Sequence, residues 1–132
     1  MPTALIADDE PLMRAQLRAR LAEAWPELSV VAEARHGGEA IEFAARYEPD
    51  IAFLDIRMPV KSGLDVARAL GGRCQVVFVT AFDEYAVAAF EAGAVDYLVK
   101  PAAPERIATL VARLKSRLPA PPGDLEALIA RL

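Results

Sequence analysis

Five short β-rich runs, "TALIA", "LSVVAEA", "DIAFL", "QVVFV" and "VDYLV", alternate with five longer segments of helical period. That alternation specifies a parallel sheet wrapped by helices. Several of the runs are apolar on successive residues, as strands buried on both faces require. The expected architecture is a doubly wound α/β (βα)5 unit.

The helical segments carry their own punctuation. Pro11 suits a first helical position, Met13, Leu17 and Leu21 then repeat every four residues, and Pro26 blocks continuation. Ala40, Phe43, Ala44 and Tyr47 follow the i, i+3, i+4, i+7 pattern of one buried face before Pro49 ends it. In "SGLDVARAL" Ser62 can cap and Asp65 can close a capping box, with Gly71 and Gly72 as the stop. "DEYAVAAFEAG" predicts a fourth helix whose opening acids suit the helix dipole and whose end falls at Gly93. The fifth runs from about Pro104 to Leu118, with Ile107, Leu110, Val111 and Leu114 facing inward.

At 132 residues, with 55% hydrophobic and 26% charged side chains, the chain suits one compact soluble domain and a short appendage. We expect that domain over residues 1–118. Over 119–132, "PAPPG" reads as a semi-rigid linker and "DLEALIARL" as the start of a helix leading to an output domain that this chain lacks. No apolar stretch approaches the roughly 18 residues of a membrane span, and the acids of "MPTALIADDE" come too early for a secretory signal, so a cytoplasmic protein with no membrane partner is expected. Cys74, the only cysteine, allows no internal disulfide and reads as a small buried hydrophobe. A net charge of -4 argues against direct nucleic-acid contact by this segment.

The acids of "IADDEP" need compensation. Two unit charges about 4 Å apart repel by roughly 1 kcal/mol even in bulk water. In parallel α/β sheets, functional groups gather beyond the carboxyl ends of the strands, where strand order reverses. Asp8 and Asp9 follow the first strand, Asp55 the third, Thr80 ends the fourth and Lys100 ends the fifth. Singly, each has a duller explanation as a cap or a turn residue. Jointly, three carboxylates, a hydroxyl and an ammonium at one sheet edge point to a hard divalent cation such as Mg2+ (or Mn2+), which takes one or two protein carboxylates and keeps several waters.

This constellation resembles the receiver domains of two-component response regulators, over roughly residues 3 to 118. The resemblance implies a flavodoxin-like, CheY-like sheet in the order 2-1-3-4-5, an order carried over from that fold. It implies that Asp55 is phosphorylated by the phosphohistidine of a sensor histidine kinase. Asp9 would ligate Mg2+ directly, Asp8 mainly through bound water, and the Arg57 backbone carbonyl would add a ligand. Thr80 would hydrogen-bond the phosphoryl oxygens, Lys100 would pair with the acyl phosphate, and the Lys100-Pro101 bond would be cis. Thr80 and Tyr97 would form a switch that alters the surface of the fourth helix, fifth strand and fifth helix, and that surface would pair two copies on phosphorylation. The stretch "TAFDEYAVAAFEAGAVDYLVKP" looks most like receivers that precede LytTR-type DNA-binding domains. Such a chain is a signalling domain, catalysing only its own phosphorylation and dephosphorylation.

Arg57 and Phe82 depart from the polar residues that assist attacking water in fast-hydrolysing relatives, and are expected either to shield the acyl phosphate or to point away from it. His36, in "EARHGGEA", is read as a solvated loop residue without a role. Three rival readings use similar parts. A haloacid-dehalogenase-like phosphatase wants a second acid where Arg57 stands, a flavin module needs a Ser, Thr or Gly-rich phosphate-binding loop after the first strand, where "DDEPLMR" would repel the phosphate, and a pseudo-receiver would never take phosphate.

Overall fold

The structure, a computed structural model, describes residues 1–118; the linker and helical start expected over 119–132 lie outside the described residues. The elements run β1 (Thr3–Ala7), α1 (Pro11–Ala24), β2 (Ser29–Ala34), α2 (Gly37–Tyr47), β3 (Ile51–Leu54), α3 (Gly63–Leu70), β4 (Gln75–Thr80), α4 (Ala86–Glu91), β5 (Asp96–Val99) and α5 (Pro104–Arg117). The strands form one sheet, ordered β2-β1-β3-β4-β5, with every pairing parallel. This is the doubly wound, CheY-like (βα)5 architecture that the alternation of runs and the resemblance together predict.

Successive strand residues point to opposite faces, and the central strands are buried on both, so the sheet separates two cores. On one side Ala4, Ile6, Ile51, Phe53, Val77, Val79 and Leu98 meet Leu21 and Trp25 of the α1 end and Ile107, Leu110, Val111 and Leu114 of α5. On the other, Leu5, Ala7, Ala52, Leu54, Phe78 and Tyr97 meet Ala40 and Ala44 of α2, Val66, Ala67 and Leu70 of α3, and Ala89 of α4. Edge strand β2 is only half-buried over most of its length. Cys74 packs half-buried against the second core, and burial pushes its thiol up, in keeping with a small hydrophobe.

Local signals account for most helix ends. Pro11 and Pro104 open α1 and α5, and the Ser62–Asp65 capping box opens α3. Gly71, at φ 56, closes α3 in the left-handed region where glycine is favoured. Of the α1 repeat, Leu21 is fully buried and Met13 and Leu17 are half-covered. Three expectations need correction. Tyr47, placed by period on the inward face of α2, is 45% exposed, because it is the final helical residue and packs edge-on against Phe43 instead. The fourth helix begins at Ala86, so Asp83 and Glu84 lie in the turn before it and its first turn holds no acid. His36 has a structural role: its Nδ1 accepts the Glu39 backbone N–H at 3.1 Å and caps α2.

Candidate functional site

Strand register brings the chemistry-bearing residues together. Ala7 pairs with Leu54, so Asp8 and Asp55 leave the sheet side by side, and the Asp55 N–H donates to the Ala7 carbonyl at 2.9 Å. Thr80 pairs with Val99, and the next residue, Lys100, donates its N–H to the Thr80 carbonyl at 2.8 Å. Gly63, at the start of α3, lies tight against Asp55: a Cβ there would sit 2.2 Å from the Asp55 carbonyl oxygen. Only glycine permits that approach.

Lys100 supplies part of the missing compensation for the acids. Its Nζ donates to Asp8 Oδ2 at 2.6 Å and to Asp55 Oδ2 at 3.0 Å. Asp8 and Asp55 are each 6% exposed. Burial alone would pull the Lys100 ammonium down, yet its hydrogen bonds to Asp8 and Asp55 and the Coulombic pull of both outweigh that, and its pKa lies above the ordinary lysine value. The peptide bond from Lys100 to Pro101 is cis.

Two polar atoms at this cluster are buried without a partner, Asp55 Oδ1 and Thr80 Oγ1. Such an atom costs about 1–3 kcal/mol and calls for an explanation. Both sit at the ends of neighbouring strands, on the sheet edge where the acids converge. Asp8, Asp9 and Glu10 each bring one carboxylate oxygen within 4.8 Å of the others; Asp9 and Glu10 are exposed. Asp55 stands outside that trio and joins it through Lys100. This set of hard oxygen donors, with a buried carboxylate oxygen left free beside it, fits a small divalent cation.

Arg57 and Phe82 face each other. The Arg57 guanidinium lies 3.9 Å from the centroid of the Phe82 ring, and its Nε and Nη2 donate to the Tyr85 hydroxyl at 3.3 and 3.2 Å. Glu84 lies 3.5 Å away as an exposed ion partner. The loop after Asp55 is thereby tied to the turn before α4. Tyr97 is buried, with its ring tilted against Phe78, and its hydroxyl donates to the Phe82 carbonyl. Burial raises the pKa of that hydroxyl. Tyr85 and Arg14, which also reach this region, are absent from the sequence reading. Neither carries a motif signal, and only the folded chain shows what they touch.

Comparison with known proteins gives one consistent result. Residues 4–112 match the family described as the response regulator receiver domain. An uncharacterized response regulatory protein of Vibrio cholerae is 47% identical, with the match covering 98% of this chain and 52% of that protein. The transcriptional regulatory protein BtsR of Escherichia coli K12 is 45% identical over 84% of this chain and 47% of its own length. The chain therefore spans about half the length of the curated relatives it matches. Among solved structures, the REC domain of AraT, a response regulator from Geobacillus stearothermophilus, has a TM-score of 0.78 at 36% identity, covering 87% of this chain and 93% of its own. The response regulatory domain of mrkE from Klebsiella pneumoniae reaches 0.81 at 29% identity, covering 86% and 95%. None of the described helices is long and apolar enough to cross a membrane.

Proposed function

The chain belongs to the response regulator receiver domain family, and from that premise we propose that it takes a phosphoryl group onto Asp55 from the phosphohistidine of a sensor kinase. An Asp55 carboxylate oxygen attacks phosphorus, the bond from phosphorus to the histidine nitrogen breaks, and the imidazole leaves with the electron pair. The observation that carries this reading is the pairing of a buried carboxylate held at 3.0 Å by Lys100 with free buried oxygens on Asp55 and Thr80. Lys100 would neutralise charge on the transferring group and afterwards pair with the acyl phosphate. The Thr80 hydroxyl would donate to a phosphoryl oxygen. Asp9 would hold Mg2+ directly and Asp8 through water, with Asp55 and the Arg57 carbonyl completing the protein ligands. When bound, the cation neutralises negative charge among the acids and on the phosphoryl group.

The signal would pass through Thr80 and Tyr97 to the face made by α4, β5 and α5. Val87 is 71% exposed, Phe90 54% and Val99 44%, so this face offers apolar surface for a second copy. Pairing would bring together two output domains attached beyond the receiver of residues 1–118, through a linker at 119–132. Their LytTR-like, DNA-binding character rests on the resemblance of "TAFDEYAVAAFEAGAVDYLVKP" and on BtsR being named a transcriptional regulatory protein. A cytoplasmic location follows from a kinase partner and a DNA target. The stacked Arg57 and Phe82 would cover the phosphorylated carboxylate and slow its hydrolysis. An unchanged or slower autodephosphorylation in Phe82→Glu would remove Phe82 from that account.

Acetyl phosphate with and without Mg2+, applied to wild type and Asp55→Asn and followed by intact mass and oligomeric state, tests the whole. We expect one phosphoryl group on the wild type only, dependent on Mg2+, with dimerisation accompanying it. Phosphorylation of Asp55→Asn to the same extent would overturn the assignment, and turnover of an external phosphoester would favour a phosphatase.

A further inference from the structure

Arg14 is an inward-facing cation for which the phosphotransfer scheme above has no use. It stands in the first half of α1, yet its side chain is only 14% exposed, against 54% for Arg18 one turn later. Its Nη1 donates to the Asp8 backbone carbonyl at 2.7 Å. Its Nε, buried without a hydrogen-bond partner, lies 3.5 Å from Glu33 Oε1 on β2. The other oxygen of Glu33 takes Arg18 at 2.5 Å, which holds that carboxylate in place.

The group Arg14 holds is the peptide unit joining the two acids. That unit is planar, so fixing the Asp8 carbonyl fixes the Asp9 N–H and limits the rotation that aims the Asp9 side chain. Every other handle on Asp8 is also taken. Its N–H donates to the Ala34 carbonyl at 3.0 Å, its Oδ1 accepts the Glu10 N–H at 2.9 Å, and its Oδ2 accepts Lys100. Asp9 itself is exposed, and the peptide before it is where its aim can be set.

We propose that Arg14 is a positioning residue for the divalent cation, orienting Asp9 through the Asp8–Asp9 peptide while Glu33 orients the guanidinium. This inference rests on the metal reading under Proposed function. It makes a prediction of opposite sign from simple electrostatics. A nearby positive charge repels Mg2+, so if charge were its only effect, deleting Arg14 would tighten binding. If positioning dominates, deletion weakens it. Groups that orient metal ligands typically cost about 10–100-fold in affinity when removed.

The test is a Mg2+ titration of the full chain followed by the amide chemical shifts of Asp8, Asp9 and Asp55, paired with urea unfolding in the absence of Mg2+. Arg14→Met should weaken Mg2+ by about tenfold or more. Arg14→Lys, which keeps the charge but loses the planar fork, should also weaken it, by less. A folded Arg14→Met variant with unchanged or tighter Mg2+ affinity overturns the proposal, even if its unfolding midpoint falls. Should Arg14→Met fail to fold, Arg14→Lys decides, and wild-type affinity there overturns it. A wild type whose shifts ignore Mg2+ overturns the metal reading and this inference with it, whereas a wild type that binds beside indifferent variants overturns Arg14 alone.

Discussion

The two helices that flank β5 are built to opposite specifications. Helix α5 has 14 residues and buries Ile107, Leu110, Val111 and Leu114 against the sheet, with basic residues in its last turn to complement the helix dipole. It is tied to β5 by Asp96, which is 2% exposed and takes Arg106 and Arg113 from α5. Helix α4 has six residues, buries only Ala89 and has no side-chain cap. A helix that short gains little from its own backbone hydrogen bonds and depends on packing it largely lacks. The strand between them ends at Val99, and the next residue, Lys100, reaches the candidate site. A change that begins there meets a fixed wall on the α5 side and a loosely held one on the α4 side, so α4 is the segment able to respond.

The largest effect should come from attacking the fixed wall. Leu110→Ala removes a fully buried side chain and should cost about 2–5 kcal/mol in urea unfolding. Equal loss from Val87→Ala, on the exposed face of α4, would erase the contrast. Gly63→Ala comes next. The added methyl would meet the Asp55 carbonyl, so we expect a loss of about 1–3 kcal/mol together with slower phosphorylation by acetyl phosphate. Tyr97→Phe, which removes the bond from the tyrosine hydroxyl to the Phe82 carbonyl, should cost about 1 kcal/mol. Hydrogen exchange should then show faster opening of α4 but not of α5, and equal acceleration in both would refute the asymmetry.

Smaller effects sharpen the same picture. Phe90→Ser should leave unfolding within about 0.5 kcal/mol of wild type while weakening the proposed phosphorylation-dependent dimerisation in sedimentation. The smallest lies far from both helices, at Glu39. The Arg35 side chain and backbone N–H hydrogen-bond its carboxylate and hold its pKa at about 2. Its contribution is therefore present above the ordinary glutamate value of about 4.3 and fades as pH falls through the depressed one. The stability difference between wild type and Glu39→Gln should shrink over that interval, and a gap that widens on acidification would contradict the assignment.

Much of the fold is legible in the residues because the signals are local. The proline starts of α1 and α5, the Ser62–Asp65 capping box and the four anchors of α5 are properties of short stretches, and the folded chain uses them as written. Signals that depend on neighbours are misread. The acids Asp83 and Glu84 look like helix openers, but the turn they occupy is tied down by Arg57 from another loop, and the helix starts after it. His36 looks idle because nothing in "EARHGGEA" says that the chain turns into a helix immediately beyond it.

The five apolar runs, their spacing and the acids that follow them determine by themselves that this is a parallel α/β domain with its acids gathered at one sheet edge, since period and strand-end position are read along the chain. Tertiary structure alone decided that Lys100 would answer the charge on Asp8 and Asp55, that Arg14 would grip the peptide between Asp8 and Asp9, and that Arg57 would lie over Phe82. Each of these contacts joins residues brought together by strand order and register, and a linear sequence does not contain the distances on which an electrostatic interaction depends.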